Sequence, residues 1–415
     1  TSRPFHRAKT SCRSLFSGAK DRSKSHTKGY LTHIFVNDNV KWSADTKLTL
    51  SAERNIALNS EITATGTNAS LALEYGQGAV AAGNTAVVNI NAPVNLPAGN
   101  NFSTKLGSDG SPIYYYVITS LGAAGSTTGQ DLQGMSITGN YALGANIDAL
   151  ATSCWNGGAG FSPIGNNTSP FTGTFNGLGH TISNLTINLP SPYYVGLFGE
   201  VLGGTISNVG LLGGSVLGNL GVGGLAGWLS GGNVTQCYTT GTVSGVNEVG
   251  GLVGYLSAGT IKQSYAMGAV SSTKNYVGGL VGKADGGTVT QSYATGSVLG
   301  VVDFGGLVGI NTVGMITHSY WDTTTTGRVT SDGSGSEFGK TTAEMKSLAT
   351  YAEWDISATG GEKDLANLRR SDHAVAAHLP YVVDSDRPQR HYVVDLRWAE
   401  PHDAGNGYTC VHGVC

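Results

Sequence analysis

Gly196-Leu197-Phe198-Gly199, Gly224-Leu225-Ala226-Gly227, Gly251-Leu252-Val253-Gly254, Gly279-Leu280-Val281-Gly282 and Gly306-Leu307-Val308-Gly309 are five copies of one element in register. Their first glycines stand 28, 27, 28 and 27 residues apart. A fixed period of this size marks a solenoid, because one such unit buries its apolar edge only by stacking on a neighbour.

Aligned on those glycines, the segments between them also repeat. Val234-Thr235-Gln236-Cys237-Tyr238, Ile261-Lys262-Gln263-Ser264-Tyr265, Val289-Thr290-Gln291-Ser292-Tyr293 and Ile316-Thr317-His318-Ser319-Tyr320 are equivalent, and Val243, Val270 and Val298 mark a third short segment. Each unit thus holds about three β-branched runs separated by Gly, Ser, Asn and Thr, with no room for a helix. Coils stacked at roughly 4.8 Å would make the five units about 24 Å tall. Leu197, Leu225, Leu252, Leu280 and Leu307 are the expected buried ladder, and residues 131–327 the expected continuous β-helix. The tyrosine column is ambiguous: Val234 and Tyr238 share strand parity whereas Cys237 does not, and a bulge between them would reverse the reading. It reads either as a structural aromatic stack or as a platform for carbohydrate.

Upstream, Leu48-Thr49-Leu50, Asn55-Ile56-Ala57-Leu58 and Ser70-Leu71-Ala72-Leu73 alternate in the manner of further rungs, and Ile113 to Val117 is a strong strand candidate. Downstream, Thr341 or Thr342 reads as an N-cap, with Glu344 placed for a capping box, opening a helix that runs toward Tyr351. Such an element would cover the last coil.

Only 12% of residues are charged, 63 are glycine and the net charge is −3. That combination describes an ordered, weakly charged β protein and gives no footprint for nucleic acid. The basic residues of the first 28 positions read as a solvated tail without the apolar core of a signal peptide. No apolar run is long enough to span a membrane. The cysteines, Cys12, Cys154, Cys237, Cys410 and Cys415, are odd in number and lack both a disulfide framework and metal spacing.

Catalysis on glycans needs paired carboxylates about 5–9.5 Å apart. Between Gly196 and Ser319 the charged residues are Glu200, Glu248, Lys262, Lys274, Lys283, Asp285 and Asp303, with no arginine. Glu248, Asn275 and Asp303 precede the glycines at related positions, so an amide interrupts the only pairing of acids. There is no His-Glu-x-x-His helix and no Gly-x-Ser-x-Gly elbow, while His180 and His318 read as structural. The expectation is no enzyme activity, no catalytic residues, no cofactor and no metal. Asn247, Glu248, Lys274, Asn275, Tyr276, Val302 and Asp303 precede the recurring glycines, and stacking should gather them on one edge as binding loops.

These repeats, with their Gln-Ser-Tyr-Ala partners, resemble the GLUG repeats of filamentous-haemagglutinin-like, two-partner-secreted bacterial adhesins. Trp42 to Ala52, Gly139 to Asp148, Phe171 to Ile182 and Ser319-Tyr320-Trp321-Asp322 add to the likeness, which covers residues 42–358. The resemblance implies an all-β protein, a right-handed parallel β-helix, exported to the cell surface through an outer-membrane partner transporter and binding a host-cell or glycan receptor. The resulting domain plan has five parts: a disordered basic tail over 1–40, haemagglutinin-like strands over 41–130, the GLUG β-helix over 131–327, a capping element with a short helix over 328–358, and an atypical, poorly ordered tail over 359–415. The competing function is a β-helical polysaccharide lyase or hydrolase, and the least active one a passive stalk.

Overall fold

The computed structural model describes residues 16–17, 31–332, 338–354 and 397–399 of the chain. These fall into two compact units, both stacks of parallel rungs. The expectations of disorder over the first 30 residues and over most of 359–415 lie outside the described residues.

In the first unit Ile34, Ile56 and Val88 share one column, and Val36, Leu58 and Ile90 the next but one. A second ladder sets Leu48 against Leu71 and Leu71 against Phe102, and a third sets Val40 against Ile62. Leu48, Leu50, Leu71, Leu73, Ile56 and Leu58 are all buried, which follows from their period-two alternation. The rungs begin at Ile34–Val36, inside the segment assigned from sequence to the basic tail. Leu31, Ile34 and Val36 are buried there, so apolar content outweighs the neighbouring basic run.

The second unit is a parallel β-helix whose columns run through many coils. Tyr116, Tyr141, Phe175, Ile206, Val234, Ile261, Val289 and Ile316 form one column across eight successive strands. On a second sheet the column is Ile147, Ile182, Leu211, Thr239, Ala266, Ala294 and Trp321. Ile187, Val216, Val243, Val270 and Val298 make the third. The five leucines of the Gly-Leu-x-Gly elements are fully buried between these sheets.

Two left-handed corners per coil reset the alternation of side chains. Asn208, Gln236, Gln263, Gln291 and His318 have φ between 47° and 56°. This corner answers the parity question: Val234 and Cys237 both point inward, because the residue between Thr235 and Cys237 turns through the left-handed region. Amides tolerate that region better than most side chains. The inward slot after it holds Cys237, Ser264, Ser292 and Ser319, and in three successive coils the hydroxyl accepts the backbone N–H of the preceding coil at 3.2 Å. The same hydroxyls donate to the carbonyls of Lys262, Thr290 and Thr317, so every buried oxygen in this ladder is satisfied. Cys237 occupies the slot as a small buried residue; burial pushes its thiol up to about 12, which leaves it protonated and unreactive.

At the carboxyl end Trp321 fills the last coil, fully buried, with its indole N–H donating to the Arg328 carbonyl. Asp322 caps the short helix Thr323–Thr326, and Gly339–Lys340 adds one more rung beside Trp321. The capping box expected at Thr341 and Glu344 is present and opens Thr342–Met345, a single turn rather than a helix reaching Tyr351. A separate 3-10 turn, Leu348–Tyr351, follows.

Candidate functional site

The Gly-Leu-x-Gly turn decides which side chains meet on the surface. Its second glycine packs against the backbone of the preceding coil: a Cβ on Gly254 would lie 2.3 Å from the Val222 nitrogen and 2.4 Å from the Gly221 carbonyl carbon. That approach presses two columns together, one on each side of the turn. The first is a second left-handed corner, Tyr194, Gly221, Glu248, Tyr276 and Asp303, with φ from 49° to 62°. The second, six residues further on in the first coil and seven in the others, is Glu200, Trp228, Tyr255, Lys283 and Ile310.

The seven residues expected as binding loops do lie along this edge, in a register that differs from the sequence reading. Asn247, Asn275 and Val302 share one column. Glu248, Tyr276 and Asp303 form the adjacent corner column, so the residue between the two acids is a tyrosine and not Asn275. A one-residue difference between coils, taken up by a bulge between Gly245 and Asn247, misled the alignment. Lys274, Val302 and Asp303 are exposed, whereas Asn247, Glu248, Asn275 and Tyr276 are half-buried.

The second column holds side chains that sequence reasoning missed as a group. The Trp228 ring stacks on Tyr255 at 5.5 Å and meets Tyr194 at 4.7 Å with its plane tilted by 37°. The Lys283 ammonium sits 5.1 Å from the Tyr255 ring centre, on the next rung. Lys283 also reaches Asp285 at 2.7 Å and Glu248 at 3.7 Å. Asp285 accepts further hydrogen bonds from the Tyr255 and Thr312 hydroxyls. At the other end the buried Glu200 accepts from Ser230, and the Trp228 indole donates to Ser257. The available signal was the spacing of these residues after each Gly-Leu-x-Gly, which places Glu200, Trp228, Tyr255 and Lys283 at one position of the repeat.

Burial raises Glu248 above the ordinary carboxylate range, more than its lysine partner lowers it. Asp285 is also pushed up by burial, but its hydrogen bonds from Lys283, Thr312 and Tyr255 outweigh this and leave it lowered. Burial pulls Lys283 down, yet Asp285 and Glu248 together leave it raised and charged. An acid raised in the folded state holds its proton more tightly there than when unfolded. Glu248 therefore subtracts stability as pH climbs from the ordinary 4.5 through its folded value. Denaturation midpoints measured between about pH 4 and pH 7 should fall along this limb in the wild type and lie flatter in Glu248→Gln. An equal slope in both proteins would remove Glu248 as the source.

The Tyr238, Tyr265, Tyr293 and Tyr320 column points outward, away from the main core, yet it offers no platform. Tyr238, Tyr265 and Tyr293 stack on one another at 4.8 Å with planes within 3° of parallel, so each ring face meets another. At one end Gly210 lies over Tyr238, and a Cβ there would come within 2.1 Å of the ring. Toward the other end Trp354 contacts Tyr293 and Tyr320, while Tyr351 packs edge-on to Tyr320. The capping element thus covers the tyrosine face as well as the final coil, and the carbohydrate-platform reading of this column is corrected to a structural one. The buried His180 is likewise engaged, its Nε2 donating to the Val94 carbonyl, whereas the exposed His318 contributes its backbone carbonyl, which accepts from Trp354.

Among the described residues no three His, Cys, Asp or Glu side chains are grouped to hold a metal, and no helix is long and apolar enough to cross a membrane.

A repeated glycine turn between parallel sheets, with a variable side-chain edge beside it, defines a parallel β-solenoid. The GLUG motif matches this chain at residues 218–244 and 274–299, in two of the coils described above. Over 114 residues the chain is 49% identical to Halomucin from Haloquadratum walsbyi, a stretch that covers 26% of this chain and 1% of that protein. The chain therefore corresponds to a very small part of that relative. A solved structure from Bacteroides ovatus, of a protein provisionally assigned as an immunoglobulin A1 protease, overlays 58% of this chain on 88% of its own. Its identity is 20% and the TM-score 0.38, too loose a likeness to carry an argument.

Proposed function

We propose that this chain is part of a secreted, surface-exposed adhesin, a β-helical rod that displays binding loops along the edge beside its glycine turns. The observation that carries this is the contrast within each coil: core columns repeat Leu, Val and Ile, while the positions along the edge beside the glycine turns change from coil to coil and expose Lys274, Val302 and Asp303. Contacts on successive coils stand roughly 4.8 Å apart, so individually weak interactions along the edge would add. The GLUG matches and the similarity to a segment of Halomucin support a surface location. Passage through an outer-membrane partner transporter, and a host-cell or glycan receptor, belong to the same proposal and rest on the family resemblance.

The test is binding of the intact chain to cells and to a broad glycan array, compared with a variant of the edge. The variant carries Ser at Asn247, Lys274, Asn275 and Val302, and Asn at the three left-handed positions Glu248, Tyr276 and Asp303, where Ser would be less well tolerated. The expected result is at least a tenfold loss of binding with an unchanged circular dichroism spectrum. A folded wild type that binds nothing in the screen would make this region a passive stalk.

One observation favours a second reading, a carbohydrate-active enzyme. Glu248 is raised, Asp285 is lowered, and both contact the Lys283 ammonium, so the two acids are well inside the roughly 9.5 Å upper limit for paired glycosidic carboxylates. Against it, Asp285 is already occupied by three donors and Lys283 stands between the acids. The expected outcome on a panel of neutral and acidic polysaccharides is no turnover. Turnover that disappears in Glu248→Gln or Asp285→Asn would establish the enzyme instead.

A further inference from the structure

The sequence holds six Asn-x-Ser/Thr acceptor triplets, at Asn68, Asn101, Asn166, Asn167, Asn184 and Asn233. The structure separates them. Asn101 is buried, with its amide donating to the Pro97 and Ala98 carbonyls. The amides of Asn68 and Asn184 donate to Asp45 and Asp148. Asn233 is also exposed, but its triplet is held extended within a strand paired on both sides, between Thr205 and Thr260, rather than in a turn. The Asn166 side-chain oxygen holds a tight turn together, accepting from the Thr168 and Ser169 N–H groups and from the Thr168 hydroxyl.

Asn167 is different. It is exposed at the tip of that turn, between Asn166 and Ser169, which pair with each other. Among the described residues its side chain has no hydrogen-bond partner. A bulky substituent on its amide nitrogen would therefore displace nothing and break no contact.

We propose that Asn167 is an N-glycosylation acceptor. The donor class is an oligosaccharide carried on a lipid phosphate or pyrophosphate. In the transfer the bond between sugar C1 and the phosphate oxygen breaks, and C1 bonds to Asn167 Nδ2. The lipid phosphate leaves with the electron pair, and the amide gives up one proton. The consequence for the molecule is spatial. Ile164 pairs with Phe198, and the Phe171 N–H donates to the Glu200 carbonyl, so the turn stands beside the first Gly-Leu-x-Gly at the end of the Glu200, Trp228, Tyr255 and Lys283 column. A glycan at Asn167 would flank the edge proposed for binding.

The inference rests on the surface location proposed above, because glycan transfer of this kind accompanies export. The overlapping triplets give a clean test. Ser169→Ala removes the acceptor triplet of Asn167 alone, and Ser169 contributes only backbone groups to the turn's hydrogen bonds, so the fold is kept. Thr168→Ala removes the triplet of Asn166 alone. Glycopeptide mass spectrometry is run on the chain recovered from the cells that produce it, with surface and interior fractions analysed separately. The expected result is a sugar adduct on Asn167 in the wild type and in Thr168→Ala, and its complete loss in Ser169→Ala. A bare Asn167 in wild-type protein, or an adduct that survives Ser169→Ala, overturns the proposal. Bare protein at the surface defeats the glycan alone, whereas bare protein confined to the interior also defeats the surface reading.

Discussion

Gly254→Ala should disrupt the coils on either side of it, at about 4 kcal/mol or more. The new methyl would sit 2.3 Å from the Val222 nitrogen and 2.4 Å from the Gly221 carbonyl carbon, and neither backbone atom can move without opening the stack. The loss should be local, because a coil touches only its neighbours. Amide exchange protection is expected to collapse across residues 221–282 while the strands of the first unit keep theirs. Gly203→Ala is the control: its methyl would meet nothing within 4 Å, and only its left-handed φ of 69° opposes the change. That strain amounts to about 1–2 kcal/mol. If the two variants unfold at the same denaturant concentration, close approach of the coils is not what the motif's second glycine provides.

Leu252→Ala should cost about 2–5 kcal/mol through the cavity it leaves. Leu252 is fully buried, and its own backbone joins three coils: the Leu225 N–H donates to the Leu252 carbonyl, and the Leu252 N–H donates to the Leu280 carbonyl. The paired strands above and below restrict collapse into the void, which favours the upper part of that range. Leu299→Ala serves as the comparison, since Leu299 is 63% exposed and surface truncations are usually within about 0.5 kcal/mol of neutral. Equilibrium urea unfolding followed by circular dichroism would decide the matter. A Leu252→Ala change of less than about 1 kcal/mol would mean that the leucine column is loosely packed, contrary to the buried ladder.

Much of the architecture was legible because a solenoid repeats its own instructions. Five coils let Leu197 be compared with Leu225, Leu252, Leu280 and Leu307, so chance apolar residues dropped out and the inward ladder remained. The capping box was legible for a local reason, as Thr341 and Glu344 satisfy each other's backbone within four residues. What failed was anything that depended on one coil's position relative to the next. Asn275 was paired with Glu248 because counting forward from the preceding Gly-Leu-x-Gly, 24 residues in each coil, ignored the bulge after Gly245. The tyrosine column could not be oriented until Gln236 was seen in the left-handed region, since an amide there looks no different in sequence from an amide in a strand. The cluster of Tyr194, Trp228, Tyr255, Lys283, Glu248 and Asp285 was illegible for another reason. Its members come from four coils and differ in type from coil to coil, so comparison between repeats gives the shared position of Trp228, Tyr255 and Lys283 but not the contacts among them. Sites of this kind are written in the differences between coils.

The two left-handed corners in each coil have a bearing on how such a chain can change over generations. Because each corner restarts the inward and outward assignment of side chains, an added or deleted residue disturbs only the segment up to the next corner. The present coils already alternate between 27 and 28 residues, with register slips in the stretches after Leu229, Gly245 and Ser271. Those stretches are therefore the places where length variation is mechanically harmless. A gene encoding this fold can gain or lose whole coils by recombination between similar repeats and still close every ladder, while single-codon insertions are absorbed beside the edge. The same geometry that fixes the interior leaves the surface free to diversify.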